Sequence, residues 1–568
     1  MRTTQSAGKG TMFHTSPGGQ RVRAPFLMGL LGLSMSAFVT SNTACTAVLG
    51  HTVDQCTSNQ DCTKFSGTNF CRKTDNTCQP LITSDCPYVY GNYKSDNAIY
   101  FGAVISLTGS YGDNNGYKPF EAAVRTALDD FDKTGGGLPA VPGTGGLPRP
   151  LVGIICDDKS AEEDDNATVL RSARHLVQTV GVPAIIGTPS TSTTIAMATE
   201  VTIPGGTFTI SPSATGEDIT LLPDYPVGKS AEDGLLWRTA PSDTYQAQAI
   251  AAYLQQRLIP SVRTSTTPAI PPGKVKILTF FRGDSYGLGL RTTFNESDAF
   301  KSAIGSENYR EFNYGTGDNA PSNTDVQAQI KGFAPNIILA FGLGETATYV
   351  VDQAEKGWDA STGHAPRPFY VASEGIASPA LQPLVNGNPD LQKRILYTSP
   401  QLGTVENNAF LRFKDNFTYF ADANYPPDQA TIIKGTAGWF GLAGTYDSVY
   451  LIAYALTSLG AGGSGARATG EDIVHTMKKL TSGETAELYR ARITQASNTL
   501  RTGGTVKVSG ASGPLAFDLK TGDVAADIPI ACLDIGGSTQ SAGLVYRTES
   551  KTIEAPPDSP NGCGYTPP

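Results

Sequence analysis

AIYFGAVISLTGSYGDNNGYKPFEAAVRTALDDF, residues 98–131, is the stretch whose reading decides the fold. Positions 98–107 form a nearly unbroken β-branched and apolar run, which predicts a parallel strand covered on both faces. Residues 108–115 are polar and rich in turn formers. From Phe120 the apolar positions Val124, Ala127, Leu128 and Phe131 recur at helical spacing, and Pro119 suits a first helical turn. Strand, glycine-bounded loop and helix in that order predict an α/β fold in which helices cover a parallel sheet. Such sheets bind ligands at the carboxyl ends of their strands. Tyr111, in the loop, is therefore the first candidate binding residue.

The same pattern recurs downstream. LVGIICDD from Leu151 predicts a strand, followed after an acidic loop by a helix carrying Val169, Leu170, Ala173, Leu176, Val177 and Val180 on one face. Asp157 and Asp158 are expected to cap that helix through its dipole rather than to act in catalysis. Residues 181–187 predict a short buried strand running into the hydroxyl-rich TPSTSTT, 188–194, and a helix beginning near Ile195. Strand 208–210 leads into a second hydroxyl loop, Ser211-Pro212-Ser213-Ala214-Thr215. A strand that feeds hydroxyls to a helix start leaves free backbone N–H groups, a physical setting for an anion. After a Pro- and Thr-containing linker, 264–273, the alternation restarts. Strands are expected at 275–281, 336–341, 369–372 and 395–397, with a loop at 282–289 and helices at 408–424, 439–459 and 470–480. The end of the chain, 505–545, reads as strands and turns.

With 568 residues and 39% hydrophobic content, the chain can bury more than one core. A net charge of −9 argues against a nucleic-acid groove. The five histidines show no HExxH spacing, no GxxxxGK[ST] motif is present, and no histidine falls near the hydroxyl loops. Neither a zinc site, a nucleotide cofactor nor an enzyme is expected.

Arg21 and Arg23 precede an apolar run at 24–39 that suits a secretory signal and is short for a membrane span. Small residues then lead to Cys45, which resembles a lipoprotein processing site, so residues 1–44 are expected to be removed and Cys45 lipidated. Plain cleavage, with Cys45 in a disulfide, is the alternative. Six of the nine cysteines fall before residue 90, as expected of disulfide usage in an exported chain. Residues 55–79 are too short for a hydrophobic core and are expected to fold around two bridges as a small knob. Proximity suggests Cys532 with Cys563.

The stretches GAVISLTGSYGDNNGY, GVPAIIGTPSTSTT, TISPSATGEDIT, LLWRTAPSDTYQAQAIAAYL, GDSYGLGL, YVASEGIASPAL, TYDSVYLIAYAL and SGASGPLAFDLKTGDV lie in this order along the chain. Together, over about residues 98–548, they resemble the type I periplasmic binding proteins, in particular the leucine/isoleucine/valine-binding branch that serves ABC importers. The resemblance implies two Rossmann-like lobes joined by three hinge crossings. One lobe would be 96–242 completed by 401–485, the other 243–400 completed by 486–568, after a cysteine-rich segment and linker, 45–95. It also implies a ligand-binding set: Thr191, Ser192, Ser213, Ala214 and Thr215 around a ligand carboxylate, Glu374 on its ammonium group, and Tyr111 and Tyr286 as cleft walls. Where the family often has a further tyrosine, after the strand ending at Phe341, this chain has Gly342-Leu343-Gly344-Glu345. The implied role is an exported protein of the periplasm or cell surface that captures an amino acid or related small molecule. It would deliver that ligand to an ABC permease, with no nucleic-acid partner. The alternative is a sensory domain of the same fold that acts through a signalling partner.

Overall fold

The computed structural model describes residues 54–109, 117–141, 146–159, 166–316, 323–358, 366–400, 408–460, 468–534, 539–557 and 561–563. The expected signal segment, Cys45 and Tyr111 lie outside the described residues.

Two parallel sheets carry the fold, and each is wound in the same order. The first runs Tyr88–Tyr90, Leu151–Asp157, Ile99–Ile105, Ala184–Ile186, Phe208–Ser211, Leu236–Arg238, parallel except for the antiparallel edge strand Tyr88–Tyr90. The second runs Asn308–Asn313, Lys276–Phe281, Ile337–Phe341, Phe369–Ala372, Ile395–Thr398, all parallel. It then continues antiparallel through Ile528–Leu533, Thr539–Arg547 and Thr552–Glu554. Numbered within each half, the parallel strands stand in the order 2-1-3-4-5. Both halves therefore have doubly wound topology, with ligand positions at the strands' carboxyl ends. The chain passes between the two cores three times: at 239–242, between Thr398 and Asn408, and at 525–527.

Tyr117–Gly135 packs on Leu442–Leu459, a largely apolar helix buried throughout 442–458, whose few polar side chains, Asp447 among them, are buried with it. Both helices cover the face of the first sheet that carries Phe101, Ala103 and Ile105, while Val169 and Leu176 cover the face that carries Val104, Ile154 and Cys156, so these strands are continuous apolar runs rather than alternating ones.

Several elements differ from expectation. The helix expected near Ile195 starts at Thr191, behind Ser190, so the hydroxyl cluster forms its first turn. Similarly, Ser285–Glu296 begins inside the stretch expected as a loop, because Asp284 caps it by accepting from the Gly287 N–H at 2.9 Å. The strand Asn308–Asn313 carries no apolar signal: it is an edge strand whose residues are exposed or half-buried. Pro427–Gly435, Glu484–Glu487 and Ile493–Arg501 are further unexpected elements, and the long helix begins at Leu442 rather than 439.

The third crossing also lies later than expected. Ala486, Leu488, Ile493, Leu500, Val508, Leu515 and Val524 pack into the core of the first lobe, so residues 486–524 belong to it. Only residues from 528 onward join the second sheet.

Four disulfides use the eight cysteines other than Cys45: Cys56–Cys71, Cys62–Cys78, Cys86–Cys156 and Cys532–Cys563. The first two staple the short ribbon Asn69–Arg72/Thr77–Pro80, as expected. The segment is not a free knob, however. Phe70 and Leu81 share a core cluster with Val104, Ile154 and Leu176, and Cys86–Cys156 ties its end to the strand Leu151–Asp157. Burying Phe70 and Leu81 against the lobe supplies the apolar contact that the segment is too short to make within itself.

Candidate functional site

The loops leaving the carboxyl ends of the first sheet are laced together by their own hydroxyls. Ser211 Oγ donates to the Thr188 carbonyl at 2.7 Å and accepts from the Ala214 N–H at 3.0 Å. Ser213 Oγ donates to the Pro189 carbonyl at 3.0 Å, and Thr191 Oγ1 accepts from the Gly216 N–H at 3.2 Å. Thr191, Ser192, Ser213, Ala214 and Thr215 are thus brought into one patch, with Thr191, Ala214 and Thr215 buried and Ser192 and Ser213 half-buried. Behind them Arg238, fully buried, donates to the Gly216 carbonyl at 2.9 Å and pairs with Asp523 at 2.5 Å, which fixes the loop backbone. Asp157 does not cap the following helix. It accepts from the N–H groups of Leu107, Thr108 and Lys159 at 2.9, 3.1 and 2.9 Å, and so pins the start of the loop that carries Tyr111.

In the second lobe Tyr286, on the first turn of Ser285–Glu296, donates its hydroxyl to Glu374 Oε1 at 2.9 Å. Glu374 follows the strand Phe369–Ala372 and is 7% exposed; its Oε2 has no hydrogen-bond partner among the described residues. A second carboxylate joins it. Asp243, at the first crossing, is 0% exposed and accepts from Gln246 Nε2 at 2.9 Å through Oδ1, while Oδ2 has no partner among the described residues. Its backbone N–H donates to the Thr215 carbonyl at 2.8 Å, which joins the hydroxyl patch to the acidic pair.

Burial pushes Asp243 well above the ordinary carboxylate range. The charge of Glu374 adds to this, and Thr215 and Arg238 pull the other way. Burial likewise raises Glu374, against the Tyr286 hydroxyl bond. Two desolvated carboxyls that feel each other's charge cannot both ionise without a large cost unless a cation stands beside them; otherwise one keeps its proton. Asp243 lies outside the set implied by resemblance. In sequence it reads as an ordinary helix-start aspartate after Ser242, and only the crossing brings it to Glu374.

The phenol beside Gly342 comes from elsewhere in the chain. A Cβ at Gly342 would fall 1.7 Å from the Tyr314 hydroxyl, so a tyrosine following the unexpected edge strand occupies that space, donating to Glu345 Oε1 at 2.9 Å. Only glycine leaves room for it.

The non-enzymatic expectation drawn from the sequence also takes GxSxG to be missing, which is incorrect: the spacing occurs at Gly283-Asp284-Ser285-Tyr286-Gly287, on a strand–loop–helix turn. The two described histidines are remote from it: His175 Nε2 meets the Leu81 carbonyl at 3.2 Å, and His475 lies beside Asp233. Neither described histidine serves Ser285 as a base. The three clustered sulfurs of Cys56, Cys62 and Cys78 are all in disulfides, which leaves them no thiolate for a metal.

Between the lobes a cleft of about 900 Å³ opens, lined among others by Ser192, Glu217 and Leu221 of the first lobe and Ser285, Leu288 and Glu296 of the second. Glu217 also bridges the lobes, accepting from Thr293 Oγ1 at 2.5 Å.

No sequence-family model matches the chain, and no curated protein matches it. Solved structures do. The leucine-binding protein LivK of Thermotoga maritima superposes with a TM-score of 0.53 at 16% identity, covering 80% of this chain and all of its own. The branched-chain amino acid substrate-binding protein LivJ of Streptococcus pneumoniae, in complex with isoleucine, gives 0.52 at 19% identity, covering 81% and 100%. A solute-binding protein of R. palustris in complex with benzoate gives 0.50 at 15%, covering 78% and 95%. The chain has the type I periplasmic binding protein fold, two Rossmann-like lobes joined by three crossings, preceded by a small disulfide-stapled segment.

Proposed function

We propose that this chain is a non-enzymatic solute-binding protein that closes its two lobes on an amino acid or a close relative and delivers it to an ABC permease. The observation that carries the reading is the pair Asp243 and Glu374, two buried carboxylates, one at the first crossing and one after a second-lobe strand, that each keep one oxygen without a partner among the described residues. An α-ammonium group has three N–H donors and a positive charge, which is what the pair lacks. The ligand's carboxylate would meet Thr191, Ser192, Ser213 and Thr215, with Ala214 offering backbone and Tyr286 and Tyr111 as walls. One ligand then touches both lobes, and closure is stabilised by that differential contact. Four disulfides and the segment 21–45 support export, with Cys45 as the lipid-attachment residue at the periplasmic or cell surface.

A charge-assisted pair in a closed cleft contributes on the order of 2 to 5 kcal/mol once its partner would otherwise be left unpaired. Calorimetry with L-leucine and with its des-amino analogue, 4-methylpentanoate, tests the reading. The amino acid is expected to bind and the analogue to bind at least tenfold more weakly, and Glu374→Gln is expected to remove the difference. Equal binding of the two by the wild-type protein overturns the assignment to amino acids.

A further inference from the structure

The mouth of the cleft has a charge that the inner site does not require. Among its described lining residues are four carboxylates, Glu217, Asp218, Asp284 and Glu296, and no basic side chain. Asp284 pairs with Arg282 at 2.7 Å, whereas Glu217 bonds only hydroxyls, and Asp218 and Glu296 are exposed and make no ion pair among the described residues. Leu221 and Leu288, 72% and 40% exposed, face this space from opposite lobes.

The inner pair lies directly behind. Thr244, next to Asp243 in the chain, donates to Glu217 at 3.3 Å, and Tyr286, which holds Glu374, is the neighbour of the mouth residue Ser285. Two buried carboxylates, each with an oxygen that has no partner among the described residues, thus stand one chain neighbour and one hydrogen bond away from residues of an acidic rim that has an apolar contact on either side. A leucine-like side chain would leave those acids facing each other across a closing cleft, where like charges repel and low-dielectric walls strengthen the field.

We propose that the ligand is a basic amino acid. Its α-ammonium group sits on Asp243 and Glu374, its aliphatic stem lies between Leu221 and Leu288, and its distal cation enters the mouth at Glu217, Asp218 and Glu296. This rests on the amino-acid reading above and narrows it. The long stem covers apolar surface while the charged head stays among acids and water. A lysine side chain also neutralises the repulsion that closure would otherwise build up.

The test compares L-lysine with L-norleucine, which has the same straight stem without the terminal amine, by calorimetry on the full chain in low salt. Lysine is expected to bind at least tenfold more tightly, and the preference to shrink as sodium chloride screens the exposed acids. The double variant Asp218→Asn/Glu296→Gln, both exposed positions, is expected to bring lysine to within threefold of norleucine, by weakening lysine and, because fewer like charges meet on closure, strengthening norleucine. Glu374→Gln is expected to weaken both ligands. If wild-type protein binds norleucine as tightly as lysine, and Glu374→Gln weakens both, the basic-ligand inference falls and the amino-acid reading stands. If neither ligand binds, both fall.

Discussion

Asp447 and Asp243 are both fully buried aspartates on helices, yet they are opposites. Asp447 accepts from the Ala511 N–H at 2.9 Å and from the Ser512 N–H and hydroxyl at 2.7 and 2.6 Å, so both its oxygens are satisfied. Asp130 behaves likewise, receiving the hydroxyls of Tyr446 and Tyr450 at 2.7 and 2.8 Å and the Asn416 amide. Asp243 and Glu374 each keep an oxygen with nothing to accept from among the described residues. A satisfied buried carboxylate knits the fold; an unsatisfied pair costs folding energy that only an incoming donor returns. Burial alone therefore does not distinguish the proposed pair from Asp447 and Asp130; its unpartnered carboxylate oxygens do.

The largest effect should come from breaking the satisfied member. Asp447→Ala leaves two backbone N–H groups and a hydroxyl buried without an acceptor, and should cost on the order of 3 to 5 kcal/mol in urea unfolding. A loss under about 1 kcal/mol would erase the contrast with the site.

Next in size is a pH effect. Burial pushes the Asp447 carboxyl up to about 6, against its three hydrogen bonds, from an ordinary value of 3.8. Between those values the folded state holds a proton that the unfolded state has lost. The stability from this group is therefore fully present below about pH 4 and is lost as pH rises through about 6, a change on the order of 3 kcal/mol. Asp447→Asn should flatten that part of the stability–pH curve, and an unchanged slope would show that Asp447 does not titrate there.

The smallest expected effect, with the sign reversed, belongs to the site. Asp243→Asn removes one of two facing carboxyls and leaves no donor stranded on a lost charge. In the absence of ligand the melting temperature should hold or rise, by about 1 kcal/mol of stability at most, while amino-acid binding falls. A loss as large as that of Asp447→Ala would place Asp243 among the structural aspartates. Because both pair members are raised and a bound ammonium favours their ionised form, ligand affinity should also increase as pH rises above the ordinary carboxylate range.

Much of the α/β pattern was legible because a parallel strand buried on both faces must be an apolar run whatever surrounds it. Residues 98–107, 151–158 and 336–341 carry that signal within the chain, and so do the helical spacing at 120–131 and the hydroxyl clusters at 188–194 and 211–215. The polar edge strand Asn308–Asn313 carries none, since an edge needs only one covered face and a partner's backbone. Nor could local pattern place residues 486–524 in the first lobe, because their apolar positions suit either core equally well.

The sequence by itself determined the periodicity, the paired cysteines of the N-terminal segment and the hydroxyl loops, and only its resemblance to a family pointed to Glu374. Tertiary structure alone decided that Asp243 faces Glu374, that Tyr314 stands over Gly342, and that acids from both lobes share one cleft mouth. The reason is physical: hydrophobic period and turn chemistry act over a few residues. The approach of residues 243 and 374 depends on where the crossings bring two separately folded sheets together, and no window of sequence contains that distance.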